Sequence, residues 1–140
     1  MSYKDDLDLH DRSIQFSAEI LRLALAGIAV IGYLVVQLPE KLRGHILETR
    51  TLLSASLVMF TVSAACVLLH RYFAGGAAFH HLQIERFNSR QSIDSKLEII
   101  KEEKLRDKLF HRCHHALRFA CWFLAIGTAC AGITFIAALR

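Results

Sequence analysis

The sequence has few residues that break helices and no cysteine motif. One proline and seven glycines in 140 residues argue against long structureless linkers and favour one small domain. The four cysteines include no CxxC pair, which excludes the common zinc and dithiol redox motifs. Cys66, Cys121 and Cys130 lie inside apolar runs, so we interpret them as small packing residues.

Charge is also absent from three long stretches of the chain. Residues 23–39, 51–69 and 119–139 contain no Asp, Glu, Lys or Arg. About 20 apolar residues in a helix cross the hydrocarbon core of a bilayer, which is about 30 Å thick. The sequence therefore predicts an all-α integral membrane protein with three transmembrane helices, at 23–39, 51–73 and 116–139.

The distribution of Lys and Arg predicts an orientation in the membrane. Three of these residues precede residue 23 and ten lie within 70–118, whereas three lie within 40–50 and one is Arg140. Because membrane proteins keep Lys and Arg on the cytoplasmic side, we expect an inner-membrane protein with a cytoplasmic N-terminus and an external C-terminus. The net acidic N-terminal segment does not fit a secretory signal, so the first run should remain as an anchor.

The segments outside the apolar runs also show helical spacing. Residues 5–22 carry a stripe of apolar side chains and should form a helix that leads into the first span. Residues 74–115 should form a cytoplasmic helical hairpin, because their only turn-like cluster lies at 88–92.

This hairpin predicts which residues face each other. If the turn is centred near residue 91, residues at equal height have numbers that sum to about 182, twice 91. His80 and Glu102 should then lie opposite each other, and His70 should lie opposite residues 111–115.

Histidine is frequent, with eight copies, and several fall at the expected cytoplasmic edge of the membrane. Positions i, i+3 and i+4 share a helix face, so His111, His114 and His115 could converge on one metal ion, with His70 added by the hairpin. Such a site would hold zinc or iron. Two other interpretations stay open: interfacial histidines that contact lipid phosphate, and histidines that sense pH.

Two short motifs in this region resemble motifs of enzyme families. The sequence HRCHH at 111–115 resembles the HxxHH box of membrane fatty-acid desaturases and hydroxylases, which implies a metal-dependent membrane enzyme. Arg106, Asp107 and His111 resemble the R-[N/D/H]-x(3–4)-H motif of HEPN ribonucleases, which implies an RNA-cleaving site built by Arg106 and His111 of two chains. The alternative is that these residues are solvated charges on a helix. Charges alternate in sign over 96–108, so we do not expect nucleic acid as a partner.

Small and hydroxylated side chains recur inside the spans, where small residues let helix backbones approach closely. The candidates for helix packing are Gly27, Gly32, Ala125, Gly127, Ala129, Ala131 and Gly132. Ser56, Ser63 and His70 recur at intervals of seven and form a polar line on the second span. That line would either border a pore in an oligomer or make hydrogen bonds between helices.

These features predict a non-enzymatic membrane protein that contacts lipid and forms a homo-oligomer. The hairpin would serve in assembly or in sensing a protein partner, and the assembly would form a pore or perturb the membrane. Size and layout resemble the small helical membrane effectors of bacterial antiviral defence, such as SLATT-type proteins and CRISPR-accessory membrane proteins, which implies an effector role. The alternatives are an accessory subunit of a larger membrane complex, a histidine-based metal-binding membrane enzyme and a HEPN-like nuclease. A cofactor is expected only for the metal-binding alternative.

Overall fold

The described residues of a computed structural model of the chain form three long α-helices. They are α1 (Tyr3–Gln37), α2 (Ile46–Asn88) and α3 (Ile93–Ala138). The structure describes the backbone of these helices and the side chains within 11–34, 51–88 and 96–136. Pro39, the predicted turn after Asn88 and the last residue of the third predicted span, 139, lie outside the described residues.

The prediction of an all-α chain is confirmed, and each helix contains a stretch long and apolar enough to cross a membrane. These stretches are Asp11–Leu34, Thr51–Asn88 and Lys96–Ile136. α1 has no break between the predicted lead-in helix and the first apolar run. α2 and α3 have 43 and 46 residues, so at about 1.5 Å per residue each is about 65–70 Å long.

α2 and α3 pack against each other in the antiparallel register that the sequence predicts. Ser63 Oγ donates to the backbone oxygen of Ala120 at 2.8 Å, and Nδ1 of His80 lies 2.5 Å from Oε2 of Glu102. In both pairs the two residue numbers sum to 182 or 183. The pairing therefore holds over a long part of the described helices.

The interface between α2 and α3 is a seam of small and apolar side chains. On α3, buried positions recur every seven residues, at Cys113, Ala120, Gly127 and Thr134. On α2, buried positions alternate steps of three and four, which is the spacing of a coiled coil. They are Leu53, Ser56, Phe60, Ser63, Val67, His70, Ala74 and Ala77, and Ile84 is buried one step of seven residues further along. Because all four α3 residues are small, the two backbones can approach closely.

α1 packs mainly on α2 and makes fewer contacts with α3. Ile20, Val67 and Ala120 form one buried layer to which each helix contributes a residue. A second buried layer contains Ile31 and Phe60 together with Leu53. The core is thus a stack of thin layers along the axis of the bundle.

Phe60 is held between two glycines of the neighbouring helices. A Cβ atom added to Gly27 of α1 would lie 2.8 Å from the Phe60 ring, and one added to Gly127 of α3 would lie 3.3 Å from it. Gly32, Gly75 and Gly132 have nothing within 4 Å of an added Cβ atom. Gly27 and Gly127 therefore make room for the aromatic ring, whereas the other three do not serve a contact within the bundle.

Replacing Gly27 by leucine should destabilise the bundle, because the added side chain overlaps the buried ring of Phe60. Overpacking of this kind costs about 1–3 kcal/mol. The control is Gly75→Leu, which adds the same atoms at an exposed glycine of α2. We expect thermal unfolding in detergent at a clearly lower temperature for Gly27→Leu and at an unchanged or higher temperature for Gly75→Leu. Equal midpoints for the two variants would show that Phe60 is not confined at Gly27.

Candidate functional site: a polar junction and an adjoining groove

Polar side chains from all three helices meet at one height of the bundle, in a cluster that we call the polar junction. It comprises Ser13 and Ser17 of α1, His70 and Arg71 of α2, and Cys113 of α3. Ser13 Oγ lies 3.0 Å from Nε2 of His70, and Arg71 Nε donates to Ser17 Oγ at 3.4 Å. Cys113 Sγ donates to the backbone oxygen of His70 at 3.6 Å. The junction therefore links α2 to both of its neighbours.

The junction is closed to solvent at its centre. The exposed fraction is 1% for His70 and 0% for Ser17. Burying an unbonded polar group costs about 1–3 kcal/mol, so bonds made inside the junction offset a substantial penalty. Ser17 Oγ also donates to the backbone oxygen of Ile14 at 2.7 Å. The bonds to Ser13 and Ser17 favour the one rotation of α1 that turns both hydroxyls toward α2.

The predicted metal ligands lie on different sides of the junction. His70 is level with Cys113, as expected, but its ring is directed at Ser13 of α1. His111 and His115 instead contact each other on the exposed face of α3, with Nε2 atoms 3.0 Å apart. The ring of His114 lies beside that of His115. Within the described part of the chain, no group of three or more His, Cys, Asp and Glu could hold a metal ion, so the zinc or iron site stays a prediction.

Arg106 and His111 of the HEPN-like motif have separate partners on α3. The Arg106 guanidinium lies 3.2 Å from the carboxylate of its neighbour Asp107. His111 is paired with His115. A spacing of five residues puts two helical side chains about 140° apart around the axis, so Arg106 and His111 do not share a face. A site built from two chains stays a prediction.

The polar line of α2 lies in the helix interface. Ser56, Ser63 and His70 are all buried inside the bundle. Ser63 bonds the backbone of α3, whereas Ser56 Oγ has no hydrogen-bond partner among the described residues. The bond of Ser63 corresponds to the interpretation as hydrogen bonding between helices, and a pore in an oligomer stays a prediction.

The predicted small packing residues divide into two groups. Gly27 and Gly127 enclose Phe60, and Ala131 packs on the layer of Ile31, Leu53 and Phe60. The others are exposed on the outside of the bundle: Gly32, Ala125, Ala129 and Gly132. Some of the small residues therefore pack inside the bundle, and the others lie exposed on its surface.

An open groove runs between α1 and α3, where these helices make few contacts. It consists of two adjoining cavities of about 320 Å³ and 560 Å³, which share Phe16, Cys121 and Ala125. The lining is almost entirely apolar. The cation Arg118 and the imidazole of His114 lie at the end of the groove next to the polar junction.

Sequence reasoning missed the α1 side of the junction and the groove. Ser13 and Ser17 are four residues apart, so they share one face of the lead-in helix, and this spacing was the available signal. The groove has no sequence signal, because it depends on how few contacts α1 makes with α3.

Comparisons of this chain with protein-family models, with curated proteins and with solved structures find no match. The chemistry of the site follows from its own residues. The polar junction holds the helices together. The groove is an open apolar surface with the cation Arg118 at one end.

The hydrogen bond between Ser13 and His70 should contribute about 1 kcal/mol to stability. A double-mutant cycle of Ser13→Ala and His70→Ala measures the coupling free energy of the two side chains, because the stability that each substitution loses through its other contacts cancels. The measurement is the free energy of unfolding in detergent. As a control, Ser54→Ala should couple to His70→Ala by less than about 0.3 kcal/mol, since Ser54 bonds only its own helix at Thr51. A coupling energy near zero for Ser13 and His70 would contradict the junction.

Proposed function

We propose that this chain is a non-enzymatic protein of the inner membrane that assembles into homo-oligomers and perturbs or permeabilises the membrane. Residues 23–39, 51–73 and 116–139 would span the bilayer. The N-terminus and the hairpin over 74–115 would lie in the cytoplasm, where the hairpin would serve in assembly or sensing. Membrane lipid and further copies of the chain are the proposed partners.

The apolar surface of the bundle supports the proposed insertion. Only 22%, 28% and 17% of the most apolar windows of α1, α2 and α3 are buried inside the bundle. Large side chains such as Leu25, Leu68 and Phe135 are more than half exposed. Soluble monomers rarely expose contiguous apolar patches above a few hundred Å². Surrounding lipid would cover this surface. The exposed apolar surface is the observation on which the proposal chiefly rests.

The exposed charges support the proposed orientation. Arg71 of α2 is exposed just after the uncharged run 51–69, and Arg112 of α3 is exposed seven residues before the uncharged run 119–139. Beyond them, α2 and α3 continue as a helical pair with exposed charged residues such as Lys101 and Glu103. Cationic residues at one edge of the spans fit the cytoplasmic side of a membrane.

Exposed glycines support the proposed self-association. Gly32 of α1 and Gly132 of α3 each directly follow a residue packed in the layer around Phe60, so they lie at similar depth. Neither has an atom within 4 Å of an added Cβ. In lipid, association of helices depends on close approach of their backbones, which glycine permits. A helix of a second copy could therefore pack at this level.

A pore would have to form between copies of the chain. The polar side chains Ser56, Ser63 and His70 are buried in the interface of α2 with its neighbours. A path for ions through one bundle would need these contacts to open. A path between copies leaves them intact, so permeabilisation should depend on the oligomeric state.

The purified protein should form a discrete oligomer in mild detergent and release a dye from liposomes. Replacing Gly132 by leucine should weaken association by roughly tenfold, which corresponds to about 1.4 kcal/mol, and should lower dye release in parallel. Gly75→Leu is the matched control, because Gly75 is equally open but lies in the hairpin. The measurements are mass determination in detergent and dye release at fixed protein-to-lipid ratio. A monodisperse monomer that leaves liposomes tight would contradict the proposal.

A further inference from the structure

The groove between α1 and α3 has the length and the polarity of one phospholipid. From His114 to Ala129 it follows fifteen residues of α3, which is about 22 Å of helix. One leaflet of a bilayer, with its headgroup region, is about 20–22 Å thick, half of the total. Below its charged end the groove is lined by hydrocarbon side chains, apart from the thiol of Cys121 and the hydroxyl of Thr128.

The charged end of the groove carries an uncompensated cation. Arg118 is exposed and makes no ion pair with any residue in the described part of the chain. Glu19 of α1 is a nearby carboxylate by helix position, but it already pairs with Arg22 at 2.7 Å. His114 lies one turn before Arg118 on the same face of α3 and also lines the groove. A guanidinium with an adjacent imidazole is suited to bind a phosphate oxygen.

Small side chains keep the floor of the groove open. Ala125 and Ala129 are exposed and occupy positions where larger residues would project into the groove. Trp122 lines the same groove and is 66% exposed. Its ring thus forms one wall of the groove at the level just below Arg118.

We infer that the groove is a binding site for one anionic phospholipid of the cytoplasmic leaflet. The headgroup phosphate binds Arg118 and His114, and one acyl chain lies along Trp122, Ala125 and Ala129. This inference rests on the proposed insertion and orientation of the chain. An acyl chain fits the apolar floor, and an anionic headgroup fits the guanidinium of Arg118 at the mouth. A helix from a second copy would fill the apolar part, but its uncharged runs 23–39, 51–69 and 119–139 bring no carboxylate. Its Glu19, which lies near the level of Arg118, already pairs with Arg22.

The chain supplies its own probe of this site, because Trp122 is its only tryptophan. Lipids with brominated acyl chains quench tryptophan fluorescence on contact. The experiment uses the full chain in bilayers that mix phosphatidylglycerol with phosphatidylcholine, with bromine on one lipid at a time. The two quenching curves give the affinity of the groove beside Trp122 for phosphatidylglycerol relative to its affinity for phosphatidylcholine. One cation near the surface contributes about 1 kcal/mol, so we expect a preference of about fivefold for phosphatidylglycerol.

Three variants separate a built site from general surface charge. Arg118→Gln should lower the preference to near one. Arg112→Gln removes the same charge from the same helix outside the groove and should leave the preference unchanged. Ala125→Leu keeps the charge but fills the floor of the groove, so it should also lower the preference.

The remaining outcomes distinguish failure of the lipid site from failure of the proposed membrane function. Equal quenching by both lipids, or a preference that survives Arg118→Gln, would overturn the lipid site. A chain that floats with liposomes but whose Trp122 is quenched by neither lipid would also overturn it, because another protein surface would then cover the groove. A chain that fails to float with liposomes would overturn the proposed membrane function itself.

Discussion

The close approach of α2 and α3 along a seam of small side chains is the constraint on which the rest of the structure depends. In lipid, no hydrophobic force draws apolar helices together, so association relies on tight packing and on hydrogen bonds between helices. Ala120 and Gly127 let the backbones meet, and the bond from Ser63 to the Ala120 carbonyl fixes the height at which they do so. Because the seam repeats every seven residues, this one register extends to the pair of His80 and Glu102.

The polar junction and the groove are two consequences of this packing. The seam buries His70 and brings its backbone to Cys113, so the imidazole is left facing α1. Bonds to Ser13 then draw α1 onto α2 rather than onto α3. Since α1 and α3 make few contacts, a groove remains between them, and it opens beside the junction where Arg118 lies. The lipid that we assign to this groove would occupy space that the protein's own packing leaves unfilled.

The sequence was sufficient for the helices and for the register, but not for the roles of the polar residues. The uncharged runs predict three helices, and the single turn-like cluster predicts that the second and third form an antiparallel pair. Both features can be read from the order of residues along the chain. The spacing of Ser56, Ser63 and His70 identified a polar face, yet its role depends on which surface the partner helix presents. Ser13 and Ser17 gave a weaker signal, because hydroxyls in a helix of mixed polarity are often solvated. The groove depends on how closely α1 approaches α3, which no local sequence pattern encodes.

Disulfide cross-linking between α2 and α3 in membranes tests the central claim most directly. In a background without the four native cysteines, Ser63→Cys combined with Ala120→Cys should form a disulfide under mild oxidation. The control pair, Ser56→Cys with Ala120→Cys, uses the same face of α2 but is displaced by about 10 Å along the helix. This displacement exceeds the separation of about 4.4–6.8 Å between Cα atoms that a disulfide allows. Efficient cross-linking of the first pair alone is the predicted result. Equal cross-linking of both pairs, or of the control alone, would contradict the register and with it the junction and the groove.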